Sequence, residues 1–103
     1  MIRRKVERGK AMKAEREIVI NGKTGLHARP AALFVQVANK YDSDITIRKE
    51  DQEVNGKSIM GILILAAEHG TKVTIIANGD DAEQAVEELS ELLLRDIEPD
   101  STG

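Results

Sequence analysis

The chain has 103 residues, 41% hydrophobic and 32% charged, with a net charge of −3, which suits one water-soluble domain around a single modest core. It has no cysteine and two histidines, so a disulfide framework, a thiol nucleophile, a thiolate zinc site and a three-histidine metal site are excluded. One Phe, one Tyr and no Trp leave no aromatic platform for single-stranded nucleic acid. No apolar run approaches the ~20 residues of a membrane-spanning helix. No apolar stretch follows the basic start before Ile18, as a secretory signal would require. The chain reads as a cytoplasmic protein, with no metal or cofactor expected.

Charge is uneven. Residues 1–16 carry seven basic residues (Arg3, Arg4, Lys5, Arg8, Lys10, Lys13, Arg16) against Glu7 and Glu15, whereas residues 17–103 carry eight basic against sixteen acidic. A basic arm for nucleic acid or an acidic partner is one reading. A disordered leader without a role is preferred, because Ile2, Val6 and Met12 bury too little surface to offset ordering entropy. A sharper alternative makes Met12 the natural start, with Glu7-Arg8-Gly9-Lys10 encoded by purine-rich codons that resemble a ribosome-binding site. The expected division is therefore a leader over 1–12, a folded domain over 13–97 and a frayed tail over 98–103.

The short β-branched run Glu17–Asn21 predicts strand one. Gly22 and Gly25 punctuate a loop. From Ala28, the spacing of Ala31, Phe34, Val35 and Ala38, widened by Leu33 and Val37, predicts an amphipathic helix fading near Asn39–Tyr41. Ile45–Arg48 and Glu53–Asn55, joined by a polar turn, predict a hairpin. Periodicity does not separate helix from strand over Ile59–Ala67. Ser58 as a cap and the stop at His69-Gly70 favour a short helix. Val73, Ile75 and Ala77 alternate with Thr74 and Ile76 as strand four. Asp81 as a cap, with Gln84 as its capping-box partner, opens a last helix buried through Ala82, Ala85, Val86, Leu89, Leu92 and Leu93. Pro99 stands beyond its end. The order β-α-β-β-α-β-α predicts an α+β fold of two layers, with helices on one face of a mainly antiparallel sheet.

The most informative stretch is Thr24-Gly25-Leu26-His27-Ala28-Arg29-Pro30. His27 stands one residue before the helical pattern, and Pro30 is tolerated in a first turn whose amides lack intrahelical partners. Free amides and the positive end of the helix dipole make an anion site. Gly25 permits close backbone approach, and Arg29 can aim its guanidinium at the same anion. Neutral imidazole is a nucleophile. Its ordinary pKa is ~6.5, and a helix N-terminus disfavours the cation. A phosphoryl group on His27 would meet charge-assisted contacts worth about 1.5–3 kcal/mol before screening, enough to hold it without making it inert. The bland alternative is a capping histidine beside an exposed arginine. A catalytic triad is disfavoured, since no acid lies nearby in sequence and no Gly-x-Ser-x-Gly elbow exists. His69 reads as an exposed or C-capping residue, and no Walker motif or dinucleotide fingerprint is present.

Gly25-Leu26-His27-Ala28-Arg29-Pro30-Ala31 resembles the active-site signature of the HPr family, the histidine-containing phosphocarriers of the bacterial phosphoenolpyruvate-dependent sugar phosphotransferase system. Lys57-Ser58-Ile59-Met60-Gly61 resembles the family's regulatory-serine signature. Similarity covers roughly residues 14–97. The resemblance implies an open-faced β-sandwich with sheet order 1-4-2-3 and three helices on one side. It implies a phosphoryl carrier without turnover of its own. His27 would be phosphorylated on Nδ1 by Enzyme I and would pass the group to IIA components of sugar transporters. Arg29 would balance charge, and Thr24, Gly25 and Ala28 would complete the phosphate-binding loop. Ser58 would be the target of HPr kinase/phosphorylase, where added negative charge at a docking face repels acidic partners; alone, it reads as an N-cap. Ile59, Met60 and Leu63 would form an apolar docking patch, in part shared with the core. Transcription regulators join the candidate partners, with no nucleic acid and no membrane insertion, and the chain reads as a monomer.

Residues 1–12 have no counterpart in the family pattern, and Gly56 stands where a larger residue is common. One alternative is a carrier of a nitrogen-linked or dihydroxyacetone-linked phosphotransfer chain, against which Ser58 in its Lys-Ser-Ile-Met-Gly context argues. An alternative of a different class is a small ligand- or nucleic-acid-binding α/β domain. The acidic charge of residues 17–103 and the scarcity of aromatics argue against it.

Overall fold

A computed structural model of the chain describes residues 12–21, 28–65 and 67–95. Residues 1–11 of the leader expected over 1–12, the loop residues Thr24, Gly25 and His27, and the tail expected over 98–103 lie outside the described residues, whereas Met12 is described and its carbonyl accepts the Gly79 amide at 2.9 Å. Seven elements follow in chain order: β1 (Lys13–Val19), α1 (Ala28–Ala38), β2 (Asp44–Lys49), β3 (Gln52–Asn55), α2 (Ile59–Leu65), β4 (Lys72–Asn78) and α3 (Ala82–Leu94). The sheet runs β1-β4-β2-β3, and every neighbouring pair is antiparallel.

Period-two alternation makes the sheet two-faced. Ile18, Ile45, Ile47, Val73, Ile75 and Ala77 point into the core, where α1 supplies Ala31, Phe34 and Ala38 and α3 supplies Ala85, Val86, Leu89, Leu92 and Leu93. The helices form one layer on the sheet, which is otherwise open. The stripe expected for α3 is buried in full; of that expected for α1, Ala31, Phe34 and Ala38 are buried, and Leu33, Val35 and Val37 pack against the core half-buried. α1 tightens at its end, where Lys40 and Tyr41 donate to Val37 and Ala38, three residues back rather than four.

Three details differ from the sequence reading. β1 begins at Lys13, not Glu17, and pairs with β4 from Lys13–Asn78 to Val19–Lys72. The charged run Lys13–Glu17 enters the sheet because the full edge of β4 takes up its backbone groups. Ile76, expected to alternate outward, is buried. The capping box at α3 is not formed. Asp81 makes no side-chain cap bond, because its carboxylate instead accepts from the amides of Asp42 and Ser43 (2.9 and 3.1 Å) and from the Ser43 hydroxyl (2.5 Å). Ser43 is fully buried, so satisfying its amide and hydroxyl outweighs satisfying a solvent-accessible helix end.

Candidate functional site

α1 begins at Ala28, the residue after His27 in the chain. Helix geometry leaves the amides of Ala28 and Arg29 without intrahelical acceptors, and Pro30, which has no N–H, stands in the first turn at no cost. Pro30 and Ala31 are buried, whereas Ala28 and Arg29 are exposed. Buried and exposed residues thus divide the first turn. Its inner side is fixed in the core, and the Arg29 guanidinium is presented to solvent. α1 carries no acidic residue in that turn, so no carboxylate of that turn opposes an arriving anion.

The second signature builds the leading turn of α2. The Ser58 hydroxyl accepts the amide of Gly61 at 3.0 Å, and the Ser58 carbonyl accepts the amide of Ile62 at 3.1 Å. Ser58 is therefore the N-cap expected from its position. The turn is shaped by Asn55, whose side-chain oxygen accepts the Lys57 amide at 2.8 Å and whose carbonyl accepts the Ser58 amide at 3.2 Å. The Lys57 ammonium donates to the Tyr41 carbonyl at 2.8 Å, tying this turn to the chain just past α1. Gly56 is buried and donates to the Ile45 carbonyl at 2.8 Å. A side chain there would run into Ile45.

α2 buries Ile62 and Leu65 and leaves Ile59, Met60, Leu63 and Ile64 exposed, Met60 and Ile64 by 67% and 60%. These four follow the i, i+1, i+4, i+5 spacing of one helical face. Ile59, Met60 and Leu63 are thus brought together on the surface rather than taken into the core. Ile64 belongs with them, and sequence alone does not single it out, because it lies in a run whose period is ambiguous. α1 packs against α2.

The perturbed side chains lie elsewhere and hold the helices together. The Tyr41 hydroxyl donates to the Glu88 carboxylate, which pushes the phenol up to about 12, with burial adding to the effect. Glu88 in turn lies below the usual carboxylate range, held there by the Tyr41 hydroxyl and then by Lys40 at 3.0 Å. Asp81 is also lowered, first by the Ser43 hydroxyl and then by the Asp42 amide. Among the described residues, no group of three or more His, Asp or Glu could hold a metal ion, and no helix is long and apolar enough to cross a membrane. His69 is exposed on the turn before Gly70.

A sheet in the order β1-β4-β2-β3 under one layer of helices, with one helix opening directly after a Gly-Leu-His sequence and carrying Arg-Pro in its first turn, defines the class of small phosphocarrier domains. The family model described as the PTS HPr component phosphorylation site matches residues 14–94, and the chain belongs to the HPr family. It is 46% identical over 83 residues to the HPr-like protein Crh of Bacillus subtilis strain 168, covering 81% of this chain and 98% of that protein. It is 44% identical over 78 residues to the phosphocarrier protein HPr of Xylella fastidiosa strain 9a5c, covering 76% and 88%. The crystal structure of HPr from Bacillus anthracis strain Ames superposes with a TM-score of 0.76 at 47% identity, covering 79% of this chain and 96% of that one. Proteins of this family carry phosphoryl groups and are not enzymes.

Proposed function

We propose that the chain is the phosphocarrier of a sugar phosphotransferase system, accepting a phosphoryl group on Nδ1 of His27 from Enzyme I and passing it to IIA components of sugar transporters. The observation that carries this reading is the start of α1 at Ala28 with Arg29 exposed in its first turn, immediately after His27 in a family-matched segment. The Nδ1 lone pair forms the N–P bond while the bond from phosphorus to the donor breaks, and the donor keeps the electron pair. In the second transfer His27 is the leaving group and the IIA nucleophile takes its place. The amides of Ala28 and Arg29 and the Arg29 guanidinium stabilise the charge on the moving group, with Thr24 and Gly25 completing the loop.

Ser58 serves as the regulatory site for HPr kinase/phosphorylase. A phosphate on its hydroxyl keeps the favourable end of α2 and places about −1.5 to −2 charge next to Ile59, Met60 and Leu63, the face that docks partners. The carrier acts in the cytoplasm as a folded domain over 13–97.

The test is incubation with Enzyme I and labelled phosphoenolpyruvate. An acid-labile, base-stable label is expected, absent in His27→Ala; label surviving in that variant overturns the assignment. With ATP and the serine kinase, an acid-stable label is expected that disappears in Ser58→Ala. A relative solved in solution is Crh, the Bacillus subtilis catabolite repression HPr, which supports, as second reading, a regulatory role for this chain, with Ser58 as its modification site. A protein labelled on Ser58 and never on His27 would establish it.

A further inference from the structure

Lys49 ends β2 on the side of the sheet that Ile45 and Ile47 present to the core, an unusual place for a lysine. Its ammonium reaches across to donate to the carbonyl of Leu65 at 3.1 Å. Leu65 is the last residue of α2. α2 has only seven residues and no basic residue in its last turn. A helix of that length does not hold itself together in water, and its final carbonyls have no intrahelical partner. A cation at that end satisfies a carbonyl and complements the helix dipole. The opposite end is fixed by Ser58 on Gly61, by Asn55 on Lys57, and by Lys57 on Tyr41. Lys49 thus supplies, from the sheet, a bond that fastens the far end.

We propose that Lys49 is a positioning residue for the exposed face of α2: by anchoring the Leu65 carbonyl it sets the direction in which Ile59, Met60, Leu63 and Ile64 are offered to a partner protein. The inference rests on the reading of that face as the partner-docking surface. Lys49 touches no transferred group; it acts through the helix. Losing the anchor therefore weakens recognition of the partner and leaves the phosphoryl-transfer step itself unaltered.

The test compares Lys49→Met, which keeps the stem and removes the ammonium, with Lys49→Arg, which restores a donor. Amide hydrogen exchange needs no partner: in Lys49→Met, protection over α2 should fall roughly ten-fold relative to the rest of the domain, and Lys49→Arg should recover it. In transfer from Enzyme I, KM for the Lys49→Met protein should rise about ten-fold at unchanged kcat, again with recovery in Lys49→Arg. Unchanged α2 protection overturns the proposal, as does a fall in kcat matching the rise in KM, or failure of arginine to rescue. If the wild-type protein takes no label on His27, the phosphocarrier reading fails on its own, and the exchange measurement still decides whether Lys49 holds α2.

Discussion

Replacing Gly56 by alanine adds one methyl group where the structure has no room for it. A Cβ at that position falls 2.5 Å from Cγ2 of Ile45, 3.1 Å from its Cβ and 3.2 Å from its carbonyl oxygen. Ile45 is itself only 3% exposed and β-branched, so rotation about χ1 offers little escape. Its carbonyl is also the acceptor for the Gly56 amide, so backing away stretches that bond. Overpacking of this kind costs about 1–3 kcal/mol, while removing a glycine returns roughly 0.4–1 kcal/mol by restricting the unfolded chain. A net loss of about 1–2 kcal/mol is expected, read as a lower urea midpoint at unchanged slope. The steric origin is separable by a double-mutant cycle. Ile45→Ala removes Cγ2 at a cost of about 2–5 kcal/mol, and Gly56→Ala added to it should cost clearly less than in the wild type, since only the milder contacts with the Cβ and carbonyl of residue 45 remain. Ile45→Val keeps Cγ2 and should give no relief. An equal Gly56→Ala penalty in all three backgrounds would refute the reasoning.

Ser90 is fully buried, and its hydroxyl has no hydrogen-bond partner among the described residues; Ser90→Ala should raise stability by about 1 kcal/mol in the same unfolding assay. Glu50 holds a positive φ of 58° in the β2–β3 turn, so Glu50→Gly should gain about 0.5 kcal/mol, the relieved backbone strain outweighing the added unfolded-chain entropy. Tyr41 is the only tyrosine, so its ultraviolet titration reports one group: a midpoint near 12 in the wild type, dropping towards 10.0 in Glu88→Ala. Because the folded value is raised, this contribution to stability is complete below the unfolded value and is lost as pH climbs through the folded one. Glu88 and Asp81 act oppositely. Their folded values lie below 4.5 and 3.8, so their contributions are present above those values and disappear as pH falls through the depressed ones; acid unfolding of Glu88→Gln should show a shallower low-pH limb.

Where the chain's own periodicity decides an outcome, the fold is legible in the sequence. The 3.6-residue stripes of α1 and α3 and the alternation of Val73, Ile75 and Ala77 in β4 mark buried residues through spacing alone. What escapes is settled by groups distant along the chain. Lys13–Arg16 carry no apolar pattern, yet they pair because β4 has unsatisfied backbone groups to offer. Asp81 has the local form of a capping residue, yet the buried Ser43, 38 residues away, takes its carboxylate. Lys49 falls just past the strand expected over Ile45–Arg48 and shows no role until Leu65 is folded over it. Ile64 is hidden within an apolar run until the two faces of α2 are known. The candidate site lies between these cases. The start of the apolar stripe and Pro30 in the first turn mark the beginning of α1, and Ser58 marks that of α2 through local capping chemistry. The contacts that hold the Ser58 turn, from Asn55, Lys57 and Tyr41, become visible only when the helices are packed.

The account turns on a phosphorus–nitrogen bond at one imidazole. Phosphorus NMR of the full chain after incubation with phosphoenolpyruvate and Enzyme I measures it directly. A phosphoramidate resonance should appear, couple to the His27 ring, collapse on acidification and be absent from His27→Ala. A spectrum with no such resonance, or one that persists unchanged in His27→Ala, would contradict the account.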